Sequence, residues 1–158
     1  MKTHVLTVSR TFPKTHKRAG EETDFVINLF HAINPVVYSD SVDKKIHTIR
    51  SNYPLWEKRI KEVQEGKAIL SLRYWSGKPY HSKQVEFAQL DKDSGCGVQS
   101  IQMTPFGWVV NSSYSDPTSN ELAKNDGLSL DDFYEWFRGK TTIDMEPMAI
   151  IHFTGFRY

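Results

Sequence analysis

Seven consecutive residues, Lys44-Lys45-Ile46-His47-Thr48-Ile49-Arg50, gather amines, an imidazole, a hydroxyl and a guanidinium in one short stretch. A threonine hydroxyl is a weak nucleophile and attacks only with a base beside it. A lysine becomes that base when desolvation or neighbouring cations depress its pKa. Lys44, His47 and Arg50 are placed to act on Lys45 in that way. On an extended strand Ile46, Thr48 and Arg50 share one face and Lys45 turns to the other. Lys45 therefore meets Thr48 only where the chain bends. The spacing predicts that Lys45 ends a helix or loop and that the strand starts near Ile46.

A second chemistry is spread more widely. The loop Phe12-Pro13-Lys14-Thr15-His16-Lys17-Arg18-Ala19-Gly20 carries no acid. Unneutralised, its charges repel one another, so Lys14, Lys17 and Arg18 are expected to clamp phosphate oxygens beside the positive end of the following helix. Further along, Arg73 and Trp75 share a strand face and Tyr74 takes the other. Tyr53, Trp56, Tyr74, Trp75 and Tyr80 are interleaved with the basic stations, and such a mixture neutralises phosphates and stacks on unpaired bases. Trp108 and Trp136 are assigned to the core.

Other chemistries are set aside. The histidines, at 4, 16, 31, 47, 81 and 152, are scattered without a metal-site spacing, so no metal is expected. Neither a Gly-x-Ser-x-Gly elbow nor a Gly-rich phosphate loop is present, which argues against an α/β-hydrolase and against a nucleotide cofactor. Cys96, the single cysteine, lies between glycines in a turn and reads as incidental; it excludes an intrachain disulfide.

The elements that must position these groups follow from periodicity. A strand at His4–Ser9 precedes the basic loop. A helix begins near Glu21 or Thr23, with Phe25, Val26, Leu29, Phe30 and Ile33 at helical spacing. After the Ile46–Arg50 strand, Pro54–Gln64 places Leu55, Trp56, Ile60 and Val63 on one helical face, with Gly66 as a stop. Strands are expected at Ala68–Trp75, Gln84–Leu90, Val98–Met103 and Gly107–Tyr114. A helical region runs from Ser119 to Gly139 with a break at Asp126-Gly127 and a restart capped by Ser129. A last strand covers Met148–Phe156. Short strands with flanking helices indicate one α+β domain over residues 1–158, built as a small mixed β-barrel.

Of the 158 residues, 39% are hydrophobic and 25% charged, which excludes a disordered tail, a collagen-like fibre or a long coiled coil. No apolar run of about 18 residues exists, the N-terminus alternates like a strand rather than a signal peptide, and a cytoplasmic setting is expected. The Asn111-Ser112-Ser113 sequon is then a chance match. The net charge of +1 conceals a division: residues 1–83 carry +7 and residues 84–158 carry −6. That polarity suits a protein offering one basic face to a polyanion.

The Lys44–Arg50 segment, read with Asn125-Asp126-Gly127-Leu128 and Asp131-Asp132-Phe133-Tyr134-Glu135-Trp136-Phe137, resembles the ASCH domain, a branch of the PUA-like superfamily of small barrels. In that family a helix and short loop deliver a Lys-x-x-Thr-x-Arg strand. A Glu/Asp-Gly-Phe/Leu segment then precedes an acidic-aromatic helix and a closing strand. The chain is also similar to bacterial and phage-encoded members that share the Lys14–Gly20 loop and the Trp75–Tyr80 turn. Some ASCH enzymes hydrolyse the acetyl-amide of acetylcytidine. The resemblance implies Lys45 as general base, Thr48 as nucleophile, Asp126 as the acid and Arg50 as the family's arginine. Asp126 is one methylene shorter than the family's glutamate, and Glu121 is the fallback acid.

Three functions follow. The first is binding of RNA or a nucleotide in a basic cleft that accepts one base, with Lys14, Lys17, Arg18, His47, Arg50, Arg73 and Trp75 as binding residues. The second is amidohydrolysis of a modified nucleoside by Lys45, Thr48 and Asp126. The third is a protein-interaction accessory role of the phage type.

Overall fold

The structure is a computed structural model and describes residues 1–35, 42–104, 107–112, 117–138 and 147–158. Strand β1 (Lys2–Thr7) turns His4 and Leu6 inward by simple alternation. Helix α1 (Phe25–Ile33) buries Phe25, Leu29 and Ala32 along one stripe. Strand β2 (His47–Arg50) is short and largely buried. Helix α2 (Tyr53–Gln64) starts at Asn52, whose side chain accepts from the Leu55 amide, and buries Trp56, Ile60 and Val63. The expected face is the buried one; Leu55 alone of it stays exposed.

Strands β3 (Ala68–Trp75), β4 (Gln84–Leu90), β5 (Gly97–Thr104) and β6 (Gly107–Val110) follow, then helices α3 (Ser119–Asn125) and α4 (Leu130–Phe137) and strand β7 (Met148–His152). One sheet has the order β1-β3-β4, with β1 parallel to β3 and β3 antiparallel to β4. The other has the order β2-β7-β5-β6 and is antiparallel throughout. Helix α2 packs against β3, β5 and β7, so its Ile60 and Val63 join Leu70 and Leu72 of the first sheet to Ile101 and Ile150 of the second. Trp108 packs edge-on against Phe133 and Phe137, and Trp136 lies against Phe12 and Phe25.

The architecture is mixed α+β. The sheets do not close into a barrel: each is hydrogen-bonded within itself. An Arg50 side chain, donating from β2 to the Thr7 carbonyl of β1 at 2.6 Å, reaches between them. Two strands end sooner than periodicity indicates. Asn111 and Ser112 adopt left-handed conformations that turn the chain after β6, and residues 113–116 lie outside the described residues. After His152 the backbone bends at Phe153–Gly155 instead of extending to Phe156. Cys96 is buried rather than set on a turn surface, and burial pushes its thiol pKa up. Among the described residues, no helix is long and apolar enough to cross a membrane.

Candidate functional site

Lys45 stands in a loop just before β2, pinned by its amide to the Asn28 carbonyl of α1. The next residue, Ile46, donates to the Asn125 carbonyl at the end of α3. That helix closes with a Schellman motif, Leu128 N–H to Ala123 and Gly127 N–H to Lys124. Gly127 sits at φ +81°, and a Cβ added there would meet Lys45 Cβ at 3.2 Å. Glycine is therefore required twice over, for the turn and for the close passage of Lys45. The consequence is a contact across the chain: Lys45 Nζ donates to the Asp126 carbonyl at 2.6 Å and to Asp126 Oδ1 at 2.8 Å. It also lies over the Phe25 ring, 4.1 Å from its centre.

Lys45 is 1% exposed and Asp126 4%. Burial pushes the Lys45 pKa down, against the pull of Asp126. Burial would raise the Asp126 pKa, but the nearby Lys45 charge and His47 more than offset it and hold the carboxyl below its ordinary value. The lysine donates and the carboxylate accepts, so each group is occupied by the other.

Around this pair lies a network of neutral groups. Asn125 Nδ2 donates to the Tyr158 hydroxyl at 2.9 Å, and that hydroxyl meets His47 Nε2 at 2.6 Å. Beside it, His152 Nε2 pairs with Gln99 Oε1 at 2.9 Å, and the same oxygen accepts from the Tyr158 amide at 3.0 Å. Both histidines are fully buried. Burial, reinforced by His47 and Arg157, pushes His152 down to about 3, and burial lowers His47 against the attraction of Asp126. His47 Nδ1 stands 3.7 Å from Asp126 Oδ1 without a hydrogen bond.

Arg50 opens on a different environment. It lines a groove of about 400 Å³ with Thr7, Ser9, Arg10, Thr11, Trp75 and Tyr80. A volume of that order suits a small organic ligand (~300–1,000 Å³). Arg10 crosses the rim, 5.1 Å over the Tyr74 ring and 3.5 Å from the Ser76 carbonyl. Among the described residues, neither arginine has a carboxylate within ion-pairing distance. Trp75 and Tyr80 pack at a tilt of 47° with ring centres 5.1 Å apart. The groove is lined by two guanidinium groups and two aromatic rings. It can hold an anion and stack a planar ring.

The remaining sequence-derived residues divide between these places. Thr48 is buried on β2 opposite Ile151, and its hydroxyl bonds neither Lys45 nor Asp126. Strand alternation puts it on the Arg50 side. Arg73 is engaged by Ser71, Gln84 and Glu86, outside the groove lining. Arg18 corrects the reading of the basic loop: Glu21 and Asp132, beyond the loop, hold it at 2.5 and 2.6 Å, so it is not a free cation. His16 is buried against Asp132. Lys14 and Lys17 are exposed. Glu121 is taken up by the Thr118 cap of α3. Sequence reasoning missed Arg10 and Tyr158; Arg10 follows a strand and precedes a basic loop, a weak signal, and Tyr158 gave none. Among the described residues, no group of three His, Cys, Asp or Glu side chains is gathered to hold a metal. No family model, curated protein or solved structure matches this chain.

Proposed function

We propose that the protein is an RNA- or nucleotide-binding domain of the PUA-like, ASCH kind, acting in the cytoplasm, and that the Arg50 groove accepts one base-sized ligand. The observation that carries the reading is Arg50 itself: a guanidinium without a carboxylate within ion-pairing distance among the described residues, lining a groove together with Trp75 and Tyr80. A buried or half-buried charge is normally paired within the protein. Phosphate would supply the missing partner with a geometry that suits a guanidinium fork. The basic first half of the chain would add a long-range field for a polyanion.

The test is fluorescence titration of the protein with an oligoribonucleotide at increasing salt. Binding that weakens steeply with salt, and that Arg50→Gln reduces, supports the proposal. Salt-insensitive or absent binding overturns it.

Amidohydrolysis of an acetylated cytidine is the second reading. The contact between Lys45 and Asp126, groups that the ASCH resemblance assigns to one reaction, favours it. Against it stand the inaccessibility of both groups and a Thr48 hydroxyl that bonds neither of them. Release of cytidine from acetylcytidine, lost in Thr48→Ala, would establish it.

A further inference from the structure

The β3–β4 connection holds a feature that a pocket for one base does not use. Tyr80 is 86% exposed and adopts a left-handed backbone conformation, φ +65°. Bulky residues seldom occupy that region, and the surrounding structure must impose it. Here Ser82 does so: its hydroxyl accepts from the Gly77 amide at 3.0 Å and donates to the Lys78 carbonyl at 2.8 Å, while the His81 amide closes on Lys78 at 3.1 Å. The fold thus fixes a large aromatic ring in solvent, where it contributes little to the core. Lys78, His81 and Lys83, all exposed, flank it in the sequence, and no acid occurs between Tyr74 and Val85. The Tyr80 ring packs against Trp75 at a tilt of 47°, and its exposure leaves most of its surface open to solvent.

Resting on the groove reading above, we infer that the ligand is a single-stranded oligonucleotide rather than a free nucleotide. One base enters the Arg50 groove, the adjacent base stacks on the exposed surface of Tyr80, and Lys78 and Lys83 meet the phosphates that continue the strand. A duplex is excluded because its bases are already stacked on each other and present no free faces.

The experiment compares uridine monophosphate, oligouridylate and oligouridylate annealed to its complement, each titrated against the wild type, Arg50→Gln, Tyr80→Gly and the double variant Lys78→Ala, Lys83→Ala. The single strand is expected to bind at least tenfold more tightly than the mononucleotide and the duplex. Tyr80→Gly should lower single-strand affinity about tenfold, the scale of one base–aromatic stack. Its melting temperature should stay level or rise, because glycine accepts a positive φ freely. The double lysine variant should flatten the logarithmic salt dependence by about 1.4, two phosphates on a single strand. Mononucleotide binding that depends on Arg50, with the oligomer no tighter and Tyr80→Gly without effect, overturns this inference and leaves the groove reading standing. Absence of Arg50-dependent binding to any of the three overturns both.

Discussion

Two clusters of charge lie close enough to influence each other, since Asp126 acts on the charge of Arg50, yet they are built on opposite terms. The Lys45 side chain finds its partners inside the protein, a carboxylate, a carbonyl and an aromatic face, and only the Nδ1 atoms of the neighbouring His47 and His152 go without a hydrogen bond. Around Arg50, the guanidinium meets one backbone carbonyl and then open groove. A saturated cluster holds structure together because removing any member strands another. An unsaturated one keeps interaction energy in reserve for a ligand. Damage to the first should therefore appear in stability, and damage to the second in affinity.

The largest effect expected from that division is on Asp126→Ala. Removing the carboxylate strands the Lys45 ammonium in a site 1% exposed, a loss of about 3–5 kcal/mol. For a chain of this size it corresponds to a fall in melting temperature on the order of 10 °C. The double variant Lys45→Met, Asp126→Leu should recover most of that loss, because two apolar groups need no partners. Thermal melts of the three proteins decide it. If Asp126→Ala melts like the wild type, the buried pair is not structural and the comparison fails.

Acid should act on the same side of the division. His152 is held at about 3 by burial, against an ordinary value of 6.5, and His47 is lowered in the same direction. A folded-state pKa below the unfolded one means that the unfolded chain binds more protons as pH falls under about 6.5. The stabilisation is therefore complete above that pH and is lost on the way down toward 3, at up to about 1.4 kcal/mol per pH unit for each histidine. Denaturant midpoints measured from neutral to mildly acidic pH should fall, and His152→Gln should fall less steeply. Parallel slopes would show that His152 is not the group that titrates.

How much of this was legible follows from how far apart in the chain each contact lies. The α2 face was readable because Trp56, Ile60 and Val63 repeat within the helix itself. That Lys45 lies in a loop outside the strand was also readable, since strand alternation turns it away from Thr48; the strand begins at His47, one residue after the expected Ile46, and Lys45 bonds Asp126 and not Thr48. The Lys45–Asp126 contact joins residues 81 positions apart, and only a family resemblance suggested it. Without that, Asp126-Gly127 reads as a turn, which is also its local geometry. Arg18 shows the opposite failure. Its stretch has no acid, so it looked like a free cation, but Asp132 reaches it from 114 residues away. Charge counted along a chain is blind to such pairings. The exposed Tyr80 escaped for another reason: nothing in Ser-Gly-Lys-Pro-Tyr-His-Ser says that the serine hydroxyl will tie Gly77 to Lys78 or that the tyrosine will take a positive φ.

On the affinity side, Arg50→Gln should weaken oligoribonucleotide binding about tenfold or more, the worth of one charge-assisted contact. Stability should drop by only about 1 kcal/mol for the lost bond to Thr7. Titration and thermal melting on the same sample give both numbers. A variant that melts far lower yet binds as before would place Arg50 with the saturated cluster, as a tie between the two sheets.

The smallest effects belong to the basic loop, and there the comparison can be sharpened within a few residues. Arg18 is already neutralised by Glu21 and Asp132, whereas Lys14 and Lys17 are exposed. If pairing inside the protein is what separates a structural charge from a binding one, Arg18→Ala should leave oligonucleotide affinity and its salt dependence unchanged. Charge reversal of Lys14 and Lys17 together should lower affinity a few-fold at low salt, and the difference should vanish at high salt, because exposed charges act through a field that counterions screen. Titrations at two ionic strengths test both. An Arg18→Ala variant that loses as much affinity as Arg50→Gln would mean that phosphate competes Asp132 away from its arginine, and saturation in the free protein would then no longer mark a group as structural.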